Sequence, residues 1–399
     1  MNNNKSFTTI VNYLFIFLSI NYILIVYFIT KFDNAGYGLI FLSLLVLLLN
    51  KDDFQILQGQ KPIVFWLLWC IFAFLNYYVH PHSFSKMPVF ELYRKIFIPL
   101  IVLTVVTKEY KRNANGLLWL CFITHIMHLA TGYFFDKGIF YRGGDEEHLL
   151  GNSYAIISSF SIFYMSLLNR VKKLSNILYI VLSIVVVVAL SMLGTRKAFG
   201  AGLLMIMFWV LSLFELKKIW SWILVGVFFY FGILGYNYLM EYTFMGERME
   251  LLEVQQEIEL PPDAPKFLQK FGDRGPHYYY GWQIFKSHPL IGVGANQANV
   301  KGIYIHTEYM AQLADNGIVG FSLFFLLYFW VIKRVLKKQK MNKSIGRCML
   351  GGLVSILFLF STAWGWCFSQ YFICLGVLVG YCQNGYNGQN YKYINNNNG

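Results

Sequence analysis

Three residues of this 399-residue chain have side chains suited to work on an anionic, activated substrate: Arg196, Arg274 and His306. Arginine stays charged at any accessible pH and presents a planar fork of donors, so two of them suit the oxygens of a phosphate or pyrophosphate. Histidine titrates near neutral pH and can take a proton from an attacking hydroxyl. On the residues alone a second reading stays open. In it Arg196 snorkels to lipid head groups, Arg274 pairs with Asp273 or another acid, and His306 only helps to start a helix.

The elements that must hold these residues are apolar. With 57% hydrophobic and 19% aromatic residues against 13% charged, the chain has too many apolar side chains for the surface of a soluble globule. About twelve apolar runs between Ile10 and Cys382 are candidates to cross a bilayer, each crossing needing about 20 residues. Two of them, Tyr37 to Leu49 and Ile96 to Thr107, are short. The expected fold is all-α, a polytopic transmembrane helix bundle of about 12 spans forming one integral membrane domain over residues 1–399. One long external loop containing short helices, about Met240 to Ile305, is inserted between spans. The run from Ile177 to Phe214 is too long for one crossing. Gly194, Thr195, Arg196 and Lys197 interrupt it, which puts the cations at a hairpin tip on a membrane face.

The net charge of +13 would point to nucleic acid in a soluble protein, but here the lysines and arginines cluster in short loops between apolar runs, the pattern that reports membrane orientation. An inside amino terminus places Lys108, Lys111 and Arg112, then Arg170, Lys172 and Lys173, then Lys217 and Lys218, and the run from Lys333 to Arg347 in the cytoplasm. Both ends are then cytoplasmic, with residues 384–399 a disordered asparagine-rich tail, and Arg196 faces outward. The acidic stretch Glu247 to Leu260 reads as an amphipathic external helix stopped by Pro261 and Pro262. The six cysteines have neither CxxC pairing nor ligand spacing to histidine and read as packing residues.

The sequence has no phosphate-binding loop with a Lys-Ser/Thr end, no HExxH, no GxSxG and no DxD. It does have His306-Thr307, nine further residues, then Gly317-Ile318-Val319-Gly320 and an apolar helix. This resembles the signature of the bacterial O-antigen ligase and polymerase superfamily. Upstream, Asp273-Arg274, Trp282, Ile284-Phe285 and His288 to Gly294 resemble that family's external-loop pattern of arginine, aromatic, apolar pair and Pro-x-x-Gly-x-Gly. Gly194-Thr195-Arg196 resembles its outward hairpin, and threonine at position 307 departs from the more usual asparagine, serine or glutamine.

The resemblance implies a metal-independent glycosyltransferase, without cofactor, in the bacterial inner membrane with its site on the outer face. It would move a glycan from a polyprenyl pyrophosphate carrier to an acceptor hydroxyl, either on lipid A core or on a second repeat unit of O-antigen or capsule. It makes His306 the general base or acceptor-orienting residue, and Arg196 and Arg274 the pyrophosphate ligands. The partners expected are the lipid-linked donor, a glycan or lipid A core acceptor and membrane lipids, with no nucleic acid. The alternative is a transporter or flippase for lipid-linked sugars, against which stand the absence of an internal repeat and of charges near span midpoints.

Further residues have two readings each. Tyr279 and Trp282 suit stacking on sugar rings as they suit a membrane interface, and Arg142 suits a glycan or carrier contact as it suits a solvated loop. Glu308 reads as a first-turn charge on the helix capped by Thr307. Gly292 to Gly294 reads as a tight turn after Pro289, and Gly317 and Gly320 as small residues that let another helix approach. His125 and His128 share a helix face and read as buried polar contacts, not metal ligands.

Overall fold

A computed structural model describes residues 2–22, 32–51, 61–80, 89–135, 147–192, 195–214, 219–242, 261, 264–266, 268, 275–295, 305, 307–361 and 369–383. All regular structure among them is helical, in the order α1 (Asn2–Ile20), α2 (Phe32–Leu49), α3 (Lys61–Val79), α4 (Val89–Phe135), α5 (Glu147–Arg170), α6 (Asn176–Met192), α7 (Arg196–Leu213), α8 (Ile219–Tyr242), α9 (Gly275–Ser287), α10 (Glu308–Gln339), α11 (Lys343–Phe360) and α12 (Ser369–Gln383). Every apolar run of the sequence overlaps one of these helices. Among the described residues α3, α7, α10 and α11 are long and apolar enough to cross a membrane by length and composition.

α4 carries two of the expected runs. Its backbone leaves helical geometry at Asn113 (φ −149°, ψ 76°), just after the cationic residues Lys111 and Arg112. The Asn113 side chain accepts from the backbone N–H of Gly116 at 3.0 Å, which starts the second stretch as an asparagine cap does.

The bundle is built around α12, in which every residue from Gln370 to Cys382 is buried. It packs most extensively on α4, where Gly376 and Gly380, one turn apart, let Val106 and Tyr110 approach their Cα atoms. Trp66 of α3 joins this centre through Phe324 of α10 and Phe372 of α12, with ring centroids 5.1 and 4.7 Å away. Facing outward are large apolar side chains such as Phe41 and Ile177, at 71% and 77% exposure. In water these would be a liability; on a bundle rim they contact hydrocarbon, and the chain is an integral membrane protein.

Part of the excess of positive charge has a local role. Arg347 donates to the carbonyls of Leu211 and Phe214 at the end of α7, and Lys338 donates to the carbonyl of Tyr381 near the end of α12. Both meet helix ends whose last carbonyls have no intrahelical partner. The five described cysteines, Cys70, Cys121, Cys348, Cys374 and Cys382, are buried free thiols, as packing residues should be. The sixth, Cys367, lies outside the described residues, as do the whole acidic stretch Glu247 to Leu260 and the tail at 384–399.

Candidate active site

Arg196 is the first residue of α7 and is partly buried, following a buried Thr195 in the N-cap position. α7 lies along α11. Gly200 admits the Phe358 ring, which a Cβ there would meet at 3.0 Å, and Ser355 donates to the Ala201 carbonyl at 3.1 Å. Arg196 therefore sits one turn before the contact between α7 and the end of α11.

Two other helices begin against the same end. In the first turn of α9 the Tyr278 hydroxyl donates to the carbonyl of Ser361 at 3.0 Å. In the first turn of α10 the Tyr309 hydroxyl donates to the carbonyl of Leu357 at 2.9 Å. α10 starts there because Thr307 is extended (φ −125°, ψ 131°) and its Oγ1 accepts from the Met310 N–H at 3.2 Å. The first turns of α9 and α10 thus meet residues 357–361, and α7 meets them one turn after its start. Each of the three helices begins with the positive end of its dipole, an environment that favours an anion.

Arg142, Arg274 and His306 lie outside the described residues. Chain neighbours of the last two are described: Gly275, next after Arg274, opens α9, and Ile305 and Thr307 on either side of His306 are both buried.

The two motif-like stretches meet each other at their glycines: Gly292 packs on the backbone of Asp315 and Asn316, and Gly317 on that of Leu290 and Ile291. Residues 289–294 form a turn that docks on a break in α10 at Gly317, where φ is 60° and ψ −169°. Four backbone bonds make the junction: Val293 N–H to Ala314 O (3.1 Å), Gly294 N–H to Asp315 O (2.8 Å), Ile318 N–H to Pro289 O (2.9 Å) and Val319 N–H to Leu290 O (3.1 Å). The expected tight turn after Pro289 is present. Gly317, expected to admit a helix, admits this turn instead, because the break frees α10 backbone groups to bond the turn. Gly320 does face a helix, with Phe72 of α3 2.6 Å from where its Cβ would stand.

Residues 177–325 match the family model described as O-antigen ligase. Over that stretch the chain is similar to O-antigen ligases. The matched stretch begins in α6 and ends in α10, and so includes Arg196, Arg274, His306 and the whole junction between residues 289–294 and Gly317. No curated protein matches the chain.

Around the matched stretch, several expected contacts take definite places. Tyr279 is buried at 6% exposure, whereas Trp282 is exposed at 40% with the Lys286 ammonium 5.9 Å from its ring centroid. Glu308 stands in the first turn of α10, as expected. It is fully buried, and its Oε1 accepts from Gln312 Nε2 at 2.7 Å. Gln312 Oε1 in turn accepts from Asn316 Nδ2 at 2.9 Å and from Trp69 Nε1 at 3.2 Å. The spacing of Glu308, Gln312 and Asn316 by four residues is the sequence signal for this ladder, since it puts them on one helix face. His125 and His128 are buried, with ring nitrogens 2.5 Å from Cys121 O and 3.0 Å from Ile20 O, polar contacts as expected.

Proposed function

We propose that the protein is a membrane glycan transferase that uses a polyprenyl-pyrophosphate-linked glycan as donor and a sugar hydroxyl as acceptor. The acceptor oxygen attacks the anomeric carbon of the donor glycan, the bond from that carbon to the pyrophosphate oxygen breaks, and the hydroxyl proton leaves to a base. His306 is that base. Arg196 and Arg274 hold the pyrophosphate and stabilise the charge it gains as it departs, so that no metal is required. Arg142 and Trp282 are assigned to glycan or carrier contacts, and Tyr279 to the packing that supports them.

The observation that carries this reading is that the stretch similar to O-antigen ligases encloses both arginines and the histidine, while the helices that start at Arg196, just after Arg274 and just after His306 all meet residues 357–361. Three positive helix ends close to these residues suit a pyrophosphate leaving group. The positive-inside distribution supports a site at the outer face of the bacterial inner membrane, where nucleotide sugars are absent and a lipid-linked donor is at hand. Ligation to lipid A core and polymerisation of repeat units share this chemistry and differ only in the acceptor.

The test is complementation of a strain lacking its surface-glycan transferase with His306→Ala. Normal membrane levels with no glycan transfer are expected. Wild-type transfer would remove the proposed base.

A further inference from the structure

Asn76, near the end of α3, lies outside the matched stretch and outside every motif, yet its side-chain amide ties together the two segments that flank the proposed site. Its Nδ2 donates to the Ile291 carbonyl in the turn after α9 at 2.8 Å, to the Asp315 carbonyl of α10 at 3.1 Å and to Asn316 Oδ1 at 3.2 Å. The backbone carbonyl of Asn76 lies 3.1 Å from His80 Nδ1, and the residue is 5% exposed.

One of these partners belongs to the segment that follows Arg274 through α9, and the other two to the helix that follows His306. From Asn316 the ladder runs through Gln312 to Glu308 in the first turn of α10, two residues from His306. We infer that Asn76 is a positioning residue for glycan transfer, holding the Arg274-bearing external segment in register with the His306-bearing helix.

Joining α3 to α10 does not require this polar group. Trp66 and Trp69 pack edge-on against Phe324, and Gly320 accommodates Phe72, so apolar packing already makes the helix pair. A buried amide network adds little net stability over apolar packing of the same shape, but it fixes one geometry through directed bonds. Reaction geometry is sensitive to shifts on the order of 1 Å, so a residue that sets the register of two catalytic segments acts on turnover more than on folding.

The inference rests on the proposed transfer reaction, and a double-mutant cycle separates the two. Full-length protein in liposomes is given a polyprenyl-pyrophosphate-linked oligosaccharide, and kcat is read for Asn76→Asp and Arg274→Lys, singly and together. Asn76→Asp keeps the shape and removes the donors. It is expected to lower kcat about tenfold in the native background and less than about threefold in the Arg274→Lys background, where the two-oxygen fork is already lost. The same fold-loss in both backgrounds, or wild-type kcat from Asn76→Asp, overturns the inference. If Asn76→Asp is not recovered folded, Asn76→Ala is read in the same cycle with a loss of about threefold expected. Failure of both to fold makes Asn76 a folding residue and overturns the inference as well. Wild-type turnover from both His306→Ala and Arg274→Lys would instead sink the transfer reading, whatever Asn76 does.

Discussion

Gly292 packs on the backbone just before Gly317, and Gly317 packs on the backbone just before Gly292. A Cβ on Gly292 would lie 2.4 Å from the Asp315 carbonyl, and one on Gly317 would lie 2.4 Å from the Leu290 carbonyl. Both have positive φ, 69° and 60°, where a side chain is disfavoured even before the clash. The external turn and the broken helix therefore fit only as long as both positions lack a side chain.

Gly317→Ala and Gly292→Ala should each destabilise the protein by about 3 kcal/mol, since backbone strain and a backbone clash add. Thermal unfolding of the full chain in detergent measures this. Gly38→Ala is the control: nothing lies within 4 Å of its added Cβ and it sits inside α2, so a neutral or slightly stabilising effect is expected. Equal shifts in all three variants would contradict the packing described.

Removing the Tyr278 or Tyr309 hydroxyl takes one hydrogen bond from the contact of α9 or α10 with the end of α11. Tyr278→Phe and Tyr309→Phe should each cost about 1 kcal/mol of stability, with a fall in transfer rate that exceeds any fall in membrane level. Unchanged rates from both would mean that these contacts do not support the site.

Because the proposed pyrophosphate ligands are arginines, transfer by purified protein should persist in excess chelator. Arg196→Lys and Arg274→Lys should each lose about tenfold, about 1.4 kcal/mol of transition-state stabilisation, since a point charge does not reproduce a two-oxygen fork. Activity lost in chelator and restored by magnesium would shift the leaving-group charge to a metal.

Of the two aromatic residues proposed near the glycan, only Trp282 presents substantial surface. Trp282→Ala should raise KM for the glycan by about threefold to tenfold, in line with loss of one stacked ring, while Tyr279→Phe leaves KM unchanged. The reverse order of effects would move the contact to Tyr279.

Leu290→Cys and Met341→Cys, at exposures of 66% and 61% on opposite sides of the second stretch of α10, should react with an impermeant thiol reagent from opposite faces of the membrane. The five described native cysteines are buried and should contribute little background. Labelling of both from one face would overturn the orientation on which the outer-face site depends.

The sequence by itself determined the helical class and most helix positions, because apolar runs and the caps that end them act within a few residues. Thr307 starts α10 through a bond to Met310, only three residues on, and such a bond can be read from the chain. The motif around Gly317 was also legible as a pattern, but its physical cause was not. Tertiary structure decided that Gly317 receives the turn after Pro289, that Glu308 is buried in a polar ladder, and that the starts of α9 and α10 meet the end of α11. Asn76 shows the reason. Its partners at 291, 315 and 316 lie 215 to 240 residues away, and a polar residue in an apolar helix gives no sign of which distant carbonyl will satisfy its donor until packing brings the two together.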